Sequence, residues 1–187
     1  ALSNGILYGV DTRAASEIET LTTEIGEAKI LADTGNALTS QSVCPKILWL
    51  RNNRPELYAR AGKFVTSTTY IVQKLTGRCV IDHYSAANWN PLYHPADAVW
   101  SDVYASRIAG AERLPELLWT TDIAGGVTAG AAEETGLAPG TPVIAGTIDA
   151  AAEAVSVGVA EPGDMMLMYG STIFIILVTE KRVDDAR

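Results

Sequence analysis

Two rhythms of apolar residues alternate along this chain: short unbroken runs, and residues spaced three or four apart. The run Pro142-Val143-Ile144-Ala145 ends in Gly146-Thr147. One carboxylate follows at Asp149, and an alanine-rich segment opens at Ala150. An unbroken apolar run suits a buried strand, and the Ala/Glu segment suits a helix. Asp149 is therefore predicted at the C-terminal mouth of a strand, where open α/β sheets bind ligands. A second run, Met165-Met166-Leu167-Met168, leads into Tyr169-Gly170-Ser171-Thr172, and a last strand is predicted over 173–178.

Upstream, residues 5–10 read as a short buried strand closed by Asp11-Thr12-Arg13. Asp11 is a candidate N-cap for a helix from 14 to about 23 that carries Ile18 and Leu21 on one face. Gly35-Asn36 is a turn signal. Pro45 is placed to open a helix over 46–51 and Pro55 a short one over 56–61, because the first helical N–H needs no partner. Residues 68–75 have helical spacing and stop at Thr76-Gly77. Cys79-Val80-Ile81 is extended and leads into Asp82. Residues 95–108 are predicted helical with Val99, Trp100 and Val103 inward. Thr128 caps a helix that Gly136 stops. Alternating strands and helices put the chain in the α/β class. The turn Glu161-Pro162-Gly163-Asp164 is the candidate boundary between a unit at 1–160 and one at 161–187.

The chain has 187 residues, enough for a domain with a real core; apolar residues make up 48% and charged residues 19%, a globular composition. The net charge is -8 and Lys and Arg do not cluster, which argues against a nucleic-acid surface. Phosphate groups remain compatible, since backbone N–H groups and Mg²⁺ can hold them. Cys44 and Cys79 form no metal-spaced motif and read as thiols of a reducing cytosol. No basic-then-apolar leader opens the chain, and no apolar run approaches the roughly 20 residues of a membrane span. A cytoplasmic protein without membrane or nucleic-acid partners is expected. The chain starts at Ala1 without Met and ends just beyond a predicted exposed turn, which reads as a piece of something larger.

One lone carboxylate and one small hydroxyl-bearing loop, each at a strand end, fit phosphoryl transfer to a substrate hydroxyl. Asp149 is the candidate base: it would orient a hydroxyl and accept its proton during attack on a γ-phosphate. Taken alone, an Asp at a helix start favours a plain helix cap. Gly170, Ser171 and Thr172 are candidate phosphate contacts, because a small residue lets the backbone approach and N–H groups and hydroxyls donate. Taken alone, these residues favour an ordinary hairpin turn. Asp11 could face a ligand or simply pair with Arg13. Asp82 is expected to satisfy local backbone donors. His83 and His94 have no partner at metal-ligand spacing, and no protein metal site is expected. Trp49, Trp100 and Trp119 are expected in the core, whereas Trp89 is a candidate for the edge of a ligand site.

These segments resemble the FGGY family of carbohydrate kinases. Gly9-Val10-Asp11-Thr12-Arg13 resembles the family's segment after the third strand. Pro45-Lys46-Ile47-Leu48-Trp49-Leu50 resembles its P/T-K-x-x-W-L helix. Tyr70 to Gly77 followed by Asp82 resembles its Y-x-x-x-x-L-T-G … D segment, and Ser85-Ala86-Ala87-Asn88 the small-residue stretch after it. Gly136 to Asp149 resembles its G-L-x-x-G-T-P-V … G-x-x-D-A signature, and Tyr169-Gly170-Ser171-Thr172 its G-T-S phosphate loop. Six such segments in the family's order make the resemblance specific, and it covers nearly the whole chain.

The resemblance implies an actin-like ATPase (ribonuclease-H-like) fold. Most of a sugar-binding domain would be present at 1–160, with only the opening hairpin of the ATP-binding domain at 161–187. It implies ATP and Mg²⁺ as cofactors, a pentulose such as xylulose or ribulose or a related ketose or polyol as substrate, and a homodimer as one assembly. Asp149 would be the general base. Asp11, Gln41, Ala150 and Phe174 would border the sugar, and Gly170, Ser171 and Thr172 the nucleotide phosphates. Phe174 could equally be plain core, and Ala150 a good helix former at a helix start. Gly9 stands where glycerol kinases carry an aromatic ring, which favours a bulkier sugar. The family's D-x-G-T loop is absent, so the isolated segment is expected to be inactive and poorly soluble. A glycerol kinase-like enzyme and a non-catalytic sugar-binding protein of actin-like fold are the alternatives.

Overall fold

The computed structural model describes residues 1–170, 173–181 and 183. Helix α1 (Ala15–Ile25) turns its Ile18, Leu21 and Ile25 stripe onto the core. Gly26, at φ +91°, breaks it from α2 (Glu27–Thr34), which ends at the left-handed Gly35. Helix α2 was not anticipated: it has no capping side chain and no opening proline, only Gly26 at its N-cap. Helix α3 (Val43–Asn53) starts two residues ahead of Pro45, and α4 (Pro55–Arg60) opens on its proline. Helix α5 (Ser67–Thr76) is capped by Thr66, whose hydroxyl accepts from Thr69 N–H, and is stopped by Gly77. Strand β1 (Val80–Asp82) feeds α6 (His83–Ala86) and a 3-10 turn at Ala87–Trp89.

Residues 95–108 do not form one helix. Strands β2 (Tyr93–His94) and β3 (Val99–Trp100) pair antiparallel, and Ser101 caps a separate two-turn helix, α7 (Asp102–Ile108). The cap hydroxyl at Ser101 accepts from Tyr104 N–H and restarts the backbone there, so the inward residues are Tyr104, Ala105 and Ile108. Val99 and Val103 face solvent. Strand β4 (Glu116–Leu118) runs parallel to β1. Strand β5 (Ile123–Gly126) pairs antiparallel with β6 (Pro142–Ile144), across α8 (Ala129–Thr135), whose Thr128 cap and Gly136 stop match expectation. Helix α9 (Asp149–Ser156) precedes the hairpin β7 (Met165–Tyr169) and β8 (Ile173–Leu177).

Among the described residues the ladders form four two-stranded sheets, not one wide sheet. The expected buried strand over 5–10 is absent: no ladder partner lies beside it, and Leu7, Tyr8 and Val10 are exposed. The expected buried strand at 142–145 is only partly buried. Its Ala145 is inside and its Ile144 is on the surface.

Among the described residues three apolar clusters hold these elements. The largest joins α1, α2, α3 and α7 around Trp89 and Leu92. Trp89, only 1% exposed, therefore belongs to the core and not to the rim of a ligand site. Cys44 is fully buried in the same cluster, Cys79 is half-buried, and burial pushes both thiols upward in pKa. A second, small cluster, Val72, Val80, Ala124 and Ala145, joins α5, β1, β5 and the end of β6. The third, Ala154, Val159 and Met166 with Phe174 and Ile176 against it, fastens the terminal hairpin to α9.

The Trp89 indole N–H is buried without a hydrogen-bond partner among the described residues. A buried donor left unpaired costs about 1–3 kcal/mol. Trp89→Phe removes that orphan together with part of the ring and should leave stability within about 1 kcal/mol of wild type, whereas Trp89→Ala should lose about 3–5 kcal/mol. Urea denaturation of both variants measures the difference.

Candidate functional site

The loop from β6 to α9 is built from short backbone approaches. Ala145 N–H donates to Asp122 C=O at 2.9 Å and Gly146 N–H to Thr120 C=O at 3.1 Å, so the β4–β5 turn and this loop are laced together. Gly146 sits at φ +73°, a conformation costly for residues with a Cβ, and an added Cβ would meet Thr68 Cγ2 at 3.2 Å. The Thr147 hydroxyl donates to Asp82 Oδ2 at 2.7 Å. Ile148, in extended backbone, is the N-cap, and Asp149 is the first residue of α9. Asp149 thus does not fill the capping position. Its Oδ1 accepts only from the adjacent Ala150 N–H, at 2.9 Å, among the described contacts. The carboxylate is exposed at the N-terminal end of a helix, where a negative charge is favoured, and Ala150 beside it is partly exposed.

Tyr8 and Gln41 face the same region. The Tyr8 phenol donates to Gln41 Oε1 at 2.8 Å. Its pKa is raised, first by burial and then by the charges of Asp149 and Tyr84, which puts these side chains in one electrostatic neighbourhood. Gly9, at φ +68°, brings its backbone close to Gln41, whose Cγ lies 3.8 Å from where a Cβ would stand. The ring of His83, the residue before Tyr84, packs at 4.3 Å against Trp119 and its Nδ1 lies 2.8 Å from the Tyr93 hydroxyl. Trp119, expected in the core, is 62% exposed: its turn is held by Asp122, which accepts from Trp119 N–H, and not by burial of the indole.

Asp11 does not cap α1. The N-cap is Ala14, without a side-chain bond, while the Asp11 carboxylate accepts from Arg13 Nε and N–H and pairs with its guanidinium at 2.7 Å. The Arg13 hydrogen bond lowers the Asp11 pKa. Lys46, buried beside it, donates to Leu7 C=O at 2.9 Å; burial lowers its pKa and the charge of Asp11 opposes that shift. A recess of about 110 Å³ opens here, lined by Asp11, Thr12 and Lys46 together with the apolar Ala14, Ile18 and Pro45. It lies beside Gln41 in sequence, on the Tyr8 side of the molecule.

Gly170 is exposed just beyond β7. Ser171 and Thr172 lie outside the described residues. Phe174 pairs with Met168 across the hairpin and packs against the Ala154 cluster, so its ring serves the joint between hairpin and α9. That joint couples the Gly170 turn to the helix that begins at Asp149. The structure therefore joins Tyr8 to Gln41, within electrostatic reach of Asp149 and Tyr84, sets Asp11 in a recess beside Lys46, and packs Phe174 against α9. Tyr8 and Tyr84 carry no periodic or motif signal of their own and were passed over; Asp82 was expected to satisfy local donors only, and its bonds to Thr120 and Thr147 were not anticipated.

Residues 1–156 match the N-terminal domain of the FGGY family of carbohydrate kinases. The chain is 32% identical over 176 residues to a ribulokinase from Shouchella clausii, covering 90% of this chain and 31% of that protein. It is 29% identical over 185 residues to a xylulose kinase from Bacillus subtilis, covering 98% and 36%. The crystal structure of xylulose kinase from Rhodospirillum rubrum superposes with a TM-score of 0.89 at 30% identity, over 96% of this chain and 37% of that one. The fold is the α/β, actin-like ATPase fold of sugar kinases. The chain belongs to the FGGY family of carbohydrate kinases. It spans 31% to 37% of the length of these three relatives.

The loop geometry makes Gly146 intolerant of a side chain. Gly146→Ala should cost about 1–2 kcal/mol from left-handed strain alone. Pairing it with Thr68→Ser, which deletes the crowding methyl, should recover only the contact part. Thermal melts of the single and double variants separate the two.

Proposed function

We propose that the protein containing this chain phosphorylates a sugar hydroxyl with ATP, and that Asp149 is the general base. The observation that carries this reading is the state of Asp149: an exposed carboxylate, free of capping duty, on a loop anchored at both Gly146 and Thr147. Such a carboxylate can accept the proton of a bound hydroxyl as its oxygen attacks the γ-phosphorus. The new O–P bond forms while the bond to the β-phosphate oxygen breaks, and ADP leaves. The chain's own task is position: it holds one oxygen acceptor still and sets the sugar against it.

Tyr8, Gln41 and the backbone at Gly9 would contact the sugar, with Ala150 leaving room beside the base and Asp11 in the adjoining recess. The relatives are named ribulokinase and xylulose kinase, which supports a pentulose or related ketose as the acceptor. The 1–160 unit would carry the sugar and the 161–187 unit would begin the ATP-binding part, with Gly170, Ser171 and Thr172 near the phosphates. No three His, Cys, Asp or Glu side chains converge on a cation site among the described residues. They do not form a cage for Mg²⁺, which typically binds through one or two carboxylates together with substrate phosphates, and no step here is routed through it.

ADP release by the full-length protein with Mg-ATP, across ketoses, aldoses and polyols, tests the reading. Sugar-dependent turnover should fall by about 10²–10⁴ in Asp149→Asn while sugar binding persists. Unchanged turnover in that variant would refute the assignment. Tyr8→Phe, which loses one hydrogen bond to Gln41, should raise KM for the sugar by roughly 5-fold at nearly constant kcat. A fall in kcat alone would move Tyr8 out of the sugar contacts.

A further inference from the structure

The Asp82 carboxylate is 1% exposed, at the C-terminal end of β1. Its Oδ2 accepts from donors on three separate segments: Ser85 N–H at 3.3 Å, the Thr120 hydroxyl at 3.3 Å and the Thr147 hydroxyl at 2.7 Å. Only the first is local helix capping. The other two come from the β4–β5 turn and from the loop that delivers Asp149. The Thr147 bond is the shortest of the three and lies two residues before the proposed base.

We infer that Asp82 is a positioning residue for phosphoryl transfer, acting through Thr147 on the placement of the Asp149 carboxylate; this rests on Asp149 being the base. Burial decides the strength of the clamp. A charge removed from water is held by its donors, and a charge-assisted O–H···O bond is roughly twice as strong as a neutral one. Gly146 contributes one backbone anchor to the Thr120 carbonyl, and Thr147 contributes the side-chain anchor to Asp82. Without the second, the stretch between the Gly146 anchor and the Ile148 carbonyl, which accepts from Ala152 N–H, would lose its side-chain tie to β1. A displacement of about 1 Å at a reacting group can cost on the order of 100-fold in rate.

Thr147→Val keeps the shape and deletes the hydroxyl, and Thr147→Ser restores it. In the full-length kinase, kcat should fall about 10-fold in Thr147→Val, with KM for sugar and for ATP within about 2-fold of wild type, and Thr147→Ser should recover most of the loss. Because the clamp acts through the base, the double variant Thr147→Val/Asp149→Asn should be no slower than Asp149→Asn alone. Asp82→Asn should lower kcat in the same way, and the Thr147 pair carries the test if Asp82→Asn does not fold. Wild-type kcat in Thr147→Val, or losses that multiply in the double variant, would overturn the inference. Full activity in Asp149→Asn would instead overturn the assignment of the base, a separate outcome.

Discussion

A carboxylate taken out of water must be met by donors, and among the described residues that requirement falls hardest on Asp82, which is more deeply buried than Glu17. The loss of solvent around one ion costs several kcal/mol unless hydrogen bonds replace it. The replacements come from segments far apart in sequence, so satisfying one buried charge also fixes where two turns and a helix start lie relative to β1. Gly146 lets the backbones come close enough for this to happen, and the small side chains Ala124 and Ala145 keep the space beneath thin. The local structure of the Asp149 loop is thus set less by its own residues than by a side chain more than sixty positions upstream.

The molecule divides its labour between large and small residues. Bulky side chains around Trp89, Leu92 and Ile30 lock the helices α1, α2, α3 and α7 into a rigid block, with edge-on aromatic contacts such as that of Tyr93 with Trp100. Around the Asp149 loop the packed residues are small, β1, β4, β5 and β6 are three or four residues long, and backbone bonds between turns do much of the joining. This pattern gives a firm frame that carries an exposed working surface, the usual arrangement where loops hold chemistry on a scaffold.

Much of the frame was legible in the sequence because it is written locally. Thr128 announces a helix start, Gly77 and Gly136 announce stops, and Pro55 opens α4, each through a backbone preference of the residue itself, whereas the Thr66 cap of α5 was not anticipated. Helix α2 and the β2–β3 hairpin were missed because Gly26 is a weak N-cap and because residues 95–100 mimic helical spacing while Ser101 restarts the chain. Local pattern is overridden at 5–10, where the apolar run has no ladder partner among the described residues and is tied instead through the Lys46 and Gln41 side chains. At the site, Asp149 stands out by its flanking strand and helix signals. The long-range donors of Asp82, the Tyr8–Gln41 bond and the exposure of Trp119 depend on which turns meet in space, and no spacing in the sequence encodes that.

Cys44 gives the core a chemical reporter. Its sulfur is fully enclosed, and burial disfavours the thiolate that reacts with alkylating or disulfide reagents. Cys79, half-buried beside β1, is the more exposed of the two thiols. A thiol reagent therefore marks Cys79 in the native state and reaches Cys44 only when the α1–α3 block opens, so the second modification clocks the breathing of the frame while the first leaves it intact.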